Sequence, residues 1–167
     1  MRACLLLVPA LLALAGPAAA QPDQRIWAIG LPKQGDGVLR FAFPNTDDLM
    51  VGLTCTKKTG QVRVIGASPV RLNEMRDPDA PPAKPIVLKR RATVNVSSGE
   101  ASTSVPGEVG PDGQHGGSYI MTELSTASPV IAAFRKTGRL RINVQREVVE
   151  APPAPGGLVR KFLGYCR

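Results

Sequence analysis

The stretch that decides the fold is residues 49–65, LMVGLTCTKKTGQVRVI. Its first half alternates. Val51, Leu53 and Cys55 form one set, and Gly52, Thr54 and Thr56 the other. Successive side chains of a strand point to opposite faces, so this period of two predicts a half-buried strand over 49–56. Lys57, Lys58, Thr59 and Gly60 make a turn with glycine at its close. Residues 61–65 then return with Val62 and Val64 on the apolar side, which completes an antiparallel hairpin.

The same grammar extends upstream. Residues 38–43, VLRFAF, place Leu39, Phe41 and Phe43 on a wholly apolar face, and Trp27, Ala28 and Ile29 form a short strand before them. Residues 44–48, PNTDD, are turn chemistry. Downstream, residues 66–85 carry five prolines and mixed charge and read as an irregular excursion. Strands are expected at 86–89 and 92–96, separated by Arg90 and Arg91, and at 101–105 after a turn at 97–100. Five glycines and two prolines in residues 106–117 predict a loop, and 118–124 a further strand.

One helix is well signalled over 129–137. Ser128 suits the N-cap, Pro129 the first helical position and Gly138 the stop. Val130, Ile131, Ala133 and Phe134 supply its apolar stripe, and Arg135 and Lys136 complement the helix dipole in the last turn. A strand follows over 139–144, with Leu140, Ile142 and Val144 inward. After the linker PPAPGG at 152–157, a second short helix is expected over 158–165, with Val159, Phe162 and Leu163 buried. Short, turn-separated strands predict a mainly β chain, an antiparallel β-sandwich or open barrel with these two helices. Strand–helix alternation occurs only once, which disfavours a parallel α/β fold.

The first twenty residues read as an address. A charged start, eleven apolar residues (LLLVPALLALA, 5–15), a Gly16-Pro17 break and Ala18-Ala19-Ala20 make a secretory signal peptide cleaved after Ala20. The apolar run is too short for a transmembrane helix, which needs about 20 residues. The expectation is a single secreted β-domain over 21–167, periplasmic or secreted from a bacterium, with loops at 66–85 and 106–117 and no transmembrane segment.

Cys4 leaves with the signal, so Cys55 and Cys166 remain as an even pair in an oxidising compartment. They are expected to form a disulfide. Two cysteines and one distant histidine are too few for a structural zinc site, and a redox pair would normally stand as C-x-x-C.

The search for chemistry returns mostly exclusions. His115 is the only histidine, so no site needing two exists in one chain, and it lies in a Gly/Pro-rich loop beside no nucleophile motif. No G-x-S-x-G, H-E-x-x-H or P-loop is present. Asp77-x-Asp79 lacks the glycine and closing glutamate of a calcium loop. A carboxylate-based hydrolase needs only two acids, and Asp47, Asp48, Glu74 and Glu123 are the candidates to watch.

Charge is distributed unevenly. Of the formal net charge of +8, residues 131–167 carry eight bases against two acids, while residues 61–130 balance at seven each. Arg139 and Arg141, with Arg160, Lys161 and Arg167 drawn back by the disulfide, are the candidate surface for an anionic partner. Seven aromatics, mostly on core faces, supply no stacking platform for single-stranded nucleic acid. The expectation is therefore an exported, non-catalytic β-domain, with no cofactor or metal, that binds a protein or an anionic envelope component. A hydrolase with an unrecognised carboxylate site and a structural subunit of an envelope or secretion assembly are the alternatives.

Overall fold

The structure, a computed structural model, describes residues 24–72, 89–113 and 116–167. The expected signal peptide, most of the 66–85 excursion with Glu74, Asp77 and Asp79, residues 86–88 of the strand expected over 86–89, and His115 lie outside the described residues. The elements run β1 (Ile26–Gly30), β2 (Asp36–Ala42), β3 (Leu49–Thr56), β4 (Gln61–Ser68), β5 (Arg90–Ser98), β6 (Ala101–Pro111), β7 (Ser118–Ser125), α1 (Pro129–Thr137), β8 (Arg141–Val144), β9 (Glu147–Glu150) and α2 (Gly156–Cys166). The nine strands form one antiparallel sheet, ordered β1-β2-β3-β4-β7-β6-β5-β8-β9, curled into a half-barrel.

The deciding hairpin holds its expected register. Leu53 faces Val64 and Val51 faces Gly66 across β3 and β4, and Val51, Leu53, Cys55, Val62 and Val64 are all buried. Leu39 and Phe41 of β2, Val94 and Val96 of β5, Ile120 of β7 and Ile142 and Val144 of β8 join the same interior. Curling brings β8 and β9 over the inner face of β3 and β4. Gly66 makes that approach possible, since a Cβ there would stand 3.0 Å from Ile142 Cδ1 and 3.4 Å from Val149 Cγ1.

The helices close one end of the half-barrel. In α1 the Ser128 side chain caps the Ile131 N–H, and Gly138 stops the helix with φ +67 and its own N–H on the Phe134 carbonyl. A Cβ at Gly138 would lie 2.2 Å from the Ala154 oxygen, so both the turn and the close approach require glycine. Phe134 of α1 and Phe162 of α2 are fully buried, each worth about 3–5 kcal/mol against alanine in a packed core. α2 begins at Gly156, two residues before the expected start.

The expected disulfide is present. Cys55 and Cys166 are joined, with Cα atoms 5.6 Å apart. Around it the Gly60 N–H bonds to the Cys166 carbonyl at 2.8 Å, and the Lys58 N–H to the Tyr165 carbonyl at 3.2 Å. The Tyr165 hydroxyl reaches the Gly35 carbonyl at 2.7 Å. The chain end is thus tied to the β3–β4 turn and to the β1–β2 hairpin.

Several segments differ from their sequence reading. Residues 106–111 are not part of a 106–117 loop but the second half of β6. Pro106 is accommodated where β6 pairs only with β5, because pairing to β7 starts at Gly107 opposite Thr122. Gly110 leaves room for Tyr119, whose ring would stand 2.5 Å from a Cβ there. Arg90 and Arg91 do not separate two strands; both lie in β5, opposite Val109 and Glu108. Residues 147–150 form β9, a four-residue edge too short to carry a periodic signal, and Arg139 precedes β8 rather than lying in it. The excursion at 66–85 also starts later than expected, since Gly66, Ala67 and Ser68 belong to β4.

Candidate binding site

The end of the half-barrel that carries the helices also carries the cations. Every turn at that end is close to α1 or α2. The β3–β4 turn bonds to the end of α2 through Lys58 and Gly60. The Arg167 guanidinium donates to the Thr126 carbonyl at 3.3 Å, next to the start of α1. Ala154, just before α2, donates to the Gly138 carbonyl just after α1 at 2.8 Å. Exposed Arg135, Lys136 and Arg139 from α1 and its exit thereby share one end with exposed Arg160, Lys161 and Arg167 from α2.

Lys57 and Lys58 of the β3–β4 turn join them, and the Lys57 ammonium stands 5.7 Å over the Tyr165 ring. Exposed Lys33 lies at the same end, between the Pro32 and Gly35 carbonyls that the Tyr165 hydroxyl reaches, which makes nine exposed cations among the described residues. Two carboxylates belong to the same end: Asp36, which accepts from the Thr56 hydroxyl at 2.7 Å, and Glu100 in the β5–β6 turn. The sequence reading singled out Arg139, Arg141, Arg160 and Lys161. Arg139, Arg160 and Lys161 sit in this cap. Arg141 opens β8 at its rim, 3.9 Å from Glu150, which offsets its charge. From sequence alone Lys57 and Lys58 are turn residues. The signal that places them here is the disulfide itself, since joining residue 55 to 166 sets residues 57 and 58 beside the end of α2.

The described members of the carboxylate set are separated. Asp47 and Asp48 lie in the β2–β3 turn, at the end opposite the helices, and face Arg40 at 3.9 Å and Arg25 at 3.6 Å. Glu123 lies on the outer face of β7, paired with Arg63 at 3.1 Å. Asp47 borders one shallow depression, of about 290 Å³, with Leu49, Ile65, Ala67 and Tyr119. Glu123 borders another, of about 220 Å³, with Asp36, Thr54 and Gln61. Cleavage by paired carboxylates needs both acids within about 10 Å on one substrate, and here the two border different depressions.

A third cluster escaped the sequence reading. On the outer face the Tyr119 hydroxyl donates to Glu108 Oε1, and the Lys89 ammonium stands 3.5 Å from the same oxygen. Burial raises the Tyr119 phenol above its ordinary range, and the hydrogen bond to Glu108 raises it further. That bond also holds the Glu108 carboxyl below its usual range, ahead of the Lys89 charge. Lys89 is raised, first by its bond to Tyr119 and then by Glu108. The directions keep a phenol, a carboxylate and an ammonium at neutral pH, a satisfied network without a free base or an activated nucleophile. The residues are 30 positions apart in sequence, so only the β5–β6–β7 register reveals them.

Among the described residues no group of three or more His, Cys, Asp or Glu is placed to hold a metal ion, and no helix is long and apolar enough to cross a membrane. No known protein family, curated protein or solved structure matches the chain.

Proposed function

We propose that this chain is an exported, non-catalytic binding domain whose helix-bearing end docks onto an anionic envelope component. The observation that carries the reading is the set of nine exposed cations among the described residues on one end of the half-barrel, against two carboxylates. A phosphate- or carboxylate-bearing surface complements it by long-range attraction, at about 1 kcal/mol for each Lys or Arg close to an anionic lipid surface. The cations come from two helices and a tight turn held by a disulfide, so little ordering is needed on contact. Among the described residues Leu31 is the one large apolar side chain exposed near this end, which favours lying on a charged surface over inserting into it.

The test is retention on vesicles of phosphatidylglycerol in phosphatidylcholine as salt is raised. Binding is expected at low ionic strength and should fall steeply as the screening length drops from about 10 Å at 0.1 M to about 3 Å at 1 M. Arg160→Glu with Lys161→Glu should lower the partition coefficient by about 30-fold or more, from the loss of two contacts alone. Retention on pure phosphatidylcholine equal to that on the anionic vesicles, or none on either at low salt, refutes the reading.

A further inference from the structure

The half-barrel does not close. β1 and β9 are the two edges of the sheet and do not pair with each other. An indole-to-carbonyl bond, Trp27 Nε1 to Pro152 at 2.8 Å, straps β1 to the chain beyond β9 without adding a strand to it. Edge strands present a row of backbone donors and acceptors, and proteins usually blunt them with charge, proline or a bulge. β9 does so, with four residues bracketed by Glu147 and Glu150. β1, IWAIG, has no charge and no proline, and its pairing with β2 runs from Ile26–Ala42 to Gly30–Val38 without interruption.

Two exposed apolar side chains flank β1. Among the described residues four large hydrophobics are exposed. Ile26 at 53% opens β1 and Leu31 at 39% follows it; Val148 at 40% lies on β9, and Val70 is the fourth.

We propose that β1 is a self-pairing edge, on which a second copy of this chain adds its own β1 antiparallel about a two-fold axis through Ala28. Three observations favour a second copy over a foreign strand. First, the sequence is self-complementary about that axis. Ile26 of one copy comes opposite Gly30 of the other, where open space lies beside the glycine. Small Ala28 meets Ala28, and Trp27 meets Ile29. Second, no like charges are opposed within the strand, a condition that same-sequence pairing must satisfy. Third, antiparallel pairing solves the charge problem of a basic chain. β1 runs toward the cationic end, which the β1–β2 hairpin joins through Tyr165. Its start lies beside Asp47 and Asp48, where Arg25 pairs with Asp48. The two-fold therefore points the cationic ends apart and sets each alongside the partner's β2–β3 turn, where Asp47 and Asp48 are ion-paired with Arg40 and Arg25, rather than against a second cationic end. The contact is isologous and closes at two copies.

Sedimentation velocity on the full chain over a concentration series tests the state, and Ala28→Cys tests the register. Wild type should shift from monomer to dimer as concentration rises. Ala28→Lys, which opposes two ammonium groups on the axis, should raise the dimer dissociation constant up to about fivefold. Ala28→Cys should cross-link into a covalent dimer under mild oxidation, whereas Val148→Cys on the other edge should not. If Ala28→Lys fails to fold, the two cysteine variants decide alone. A chain that stays monomeric at every accessible concentration with no Ala28→Cys cross-link overturns the proposal. Equal cross-linking from Val148→Cys, or a dimer untouched by Ala28→Lys in a folded chain, does the same. The vesicle experiment above reads a different surface, so either reading can fail without the other.

Discussion

Replacing both members of the disulfide, Cys55→Ala with Cys166→Ala, tests how the chain is held together. The bond spans 111 positions. The chain-entropy relation, −2.1 − 1.5R ln n, then gives about 16 cal/mol/K, or about 5 kcal/mol at 25 °C, from restricting the unfolded chain. Both side chains are buried, at 4% and 0%, so truncating them adds about 1 kcal/mol for lost packing. Against a typical domain stability of about 5–15 kcal/mol the loss is large. For a chain of this size each kcal/mol shifts the midpoint by about 3 °C, so the melting temperature should fall by about 15–20 °C. Equilibrium urea unfolding followed by far-ultraviolet circular dichroism measures the free energy directly, with oxidised wild type and the double variant compared at a common slope. A loss under about 1.5 kcal/mol would refute the reasoning. It would mean that the unfolded chain is already restrained, or that the Gly60–Cys166 backbone bond and buried Phe162 hold α2 without the covalent link.

Gly138→Ala places a Cβ at φ +67 and 2.2 Å from the Ala154 oxygen; thermal melting should show a loss of about 2 kcal/mol or more, because strain and overlap add. Glu108 titrates below its reference of 4.5 in the folded chain, so its contribution is complete above that value and lost as pH falls through the depressed one. Lys89 and Tyr119 are raised, and theirs is present below 10.5 and 10.0 and lost as pH rises through the raised values. Ultraviolet titration should therefore show the Tyr119 phenol ionising late, and Glu108→Gln should move it back toward the ordinary range; an unchanged late step would refute the assigned bond. Arg63→Ala should change stability by less than about 1 kcal/mol in urea unfolding, because its pair with Glu123 is about half exposed on both sides.

The parts of the fold legible in the sequence are those whose physics is local. The 49–65 hairpin announces itself because alternation over eight residues leaves one face wholly apolar. The α1 helix does so because Ser128, Pro129 and Gly138 each solve a different problem at a helix end. The disulfide follows from counting. What stayed hidden depends on register. Residues 106–111 are rich in glycine and proline, which in isolation means a turn. In the sheet, Gly107 and Gly110 are required because Val94 and Tyr119 pack where side chains would stand. β9 has two apolar residues between two glutamates, and its burial comes from β3 and β4, some ninety residues away. The cationic cap was half legible. The excess after residue 130 is arithmetic, but the addition of Lys57 and Lys58 and the offset of Arg141 by Glu150 are consequences of pairing.

The same topology explains why the charge is polarised. The strand ends on the helix side are joined by tight turns: residues 57–60, 99–100 and the approach to α1 at 126–128. Two amphipathic helices cover that mouth, and with their inner stripes committed to Phe134 and Phe162 their outer faces must be polar. Those outer positions hold four of the cations, with Arg139 and Arg167 just past the two helix ends, and no acid, so the covering of the core and the building of a charged surface are one act of folding. A charge-reversed cap should then leave stability nearly untouched, because none of the six side chains is buried and surface substitutions usually change stability by about 0.5 kcal/mol or less. Arg160→Glu with Lys161→Glu should keep the wild-type melting temperature within about 3 °C while losing anionic vesicles. A variant that melts far earlier would show that these cations serve packing against the fold, and the binding loss could no longer be assigned to charge.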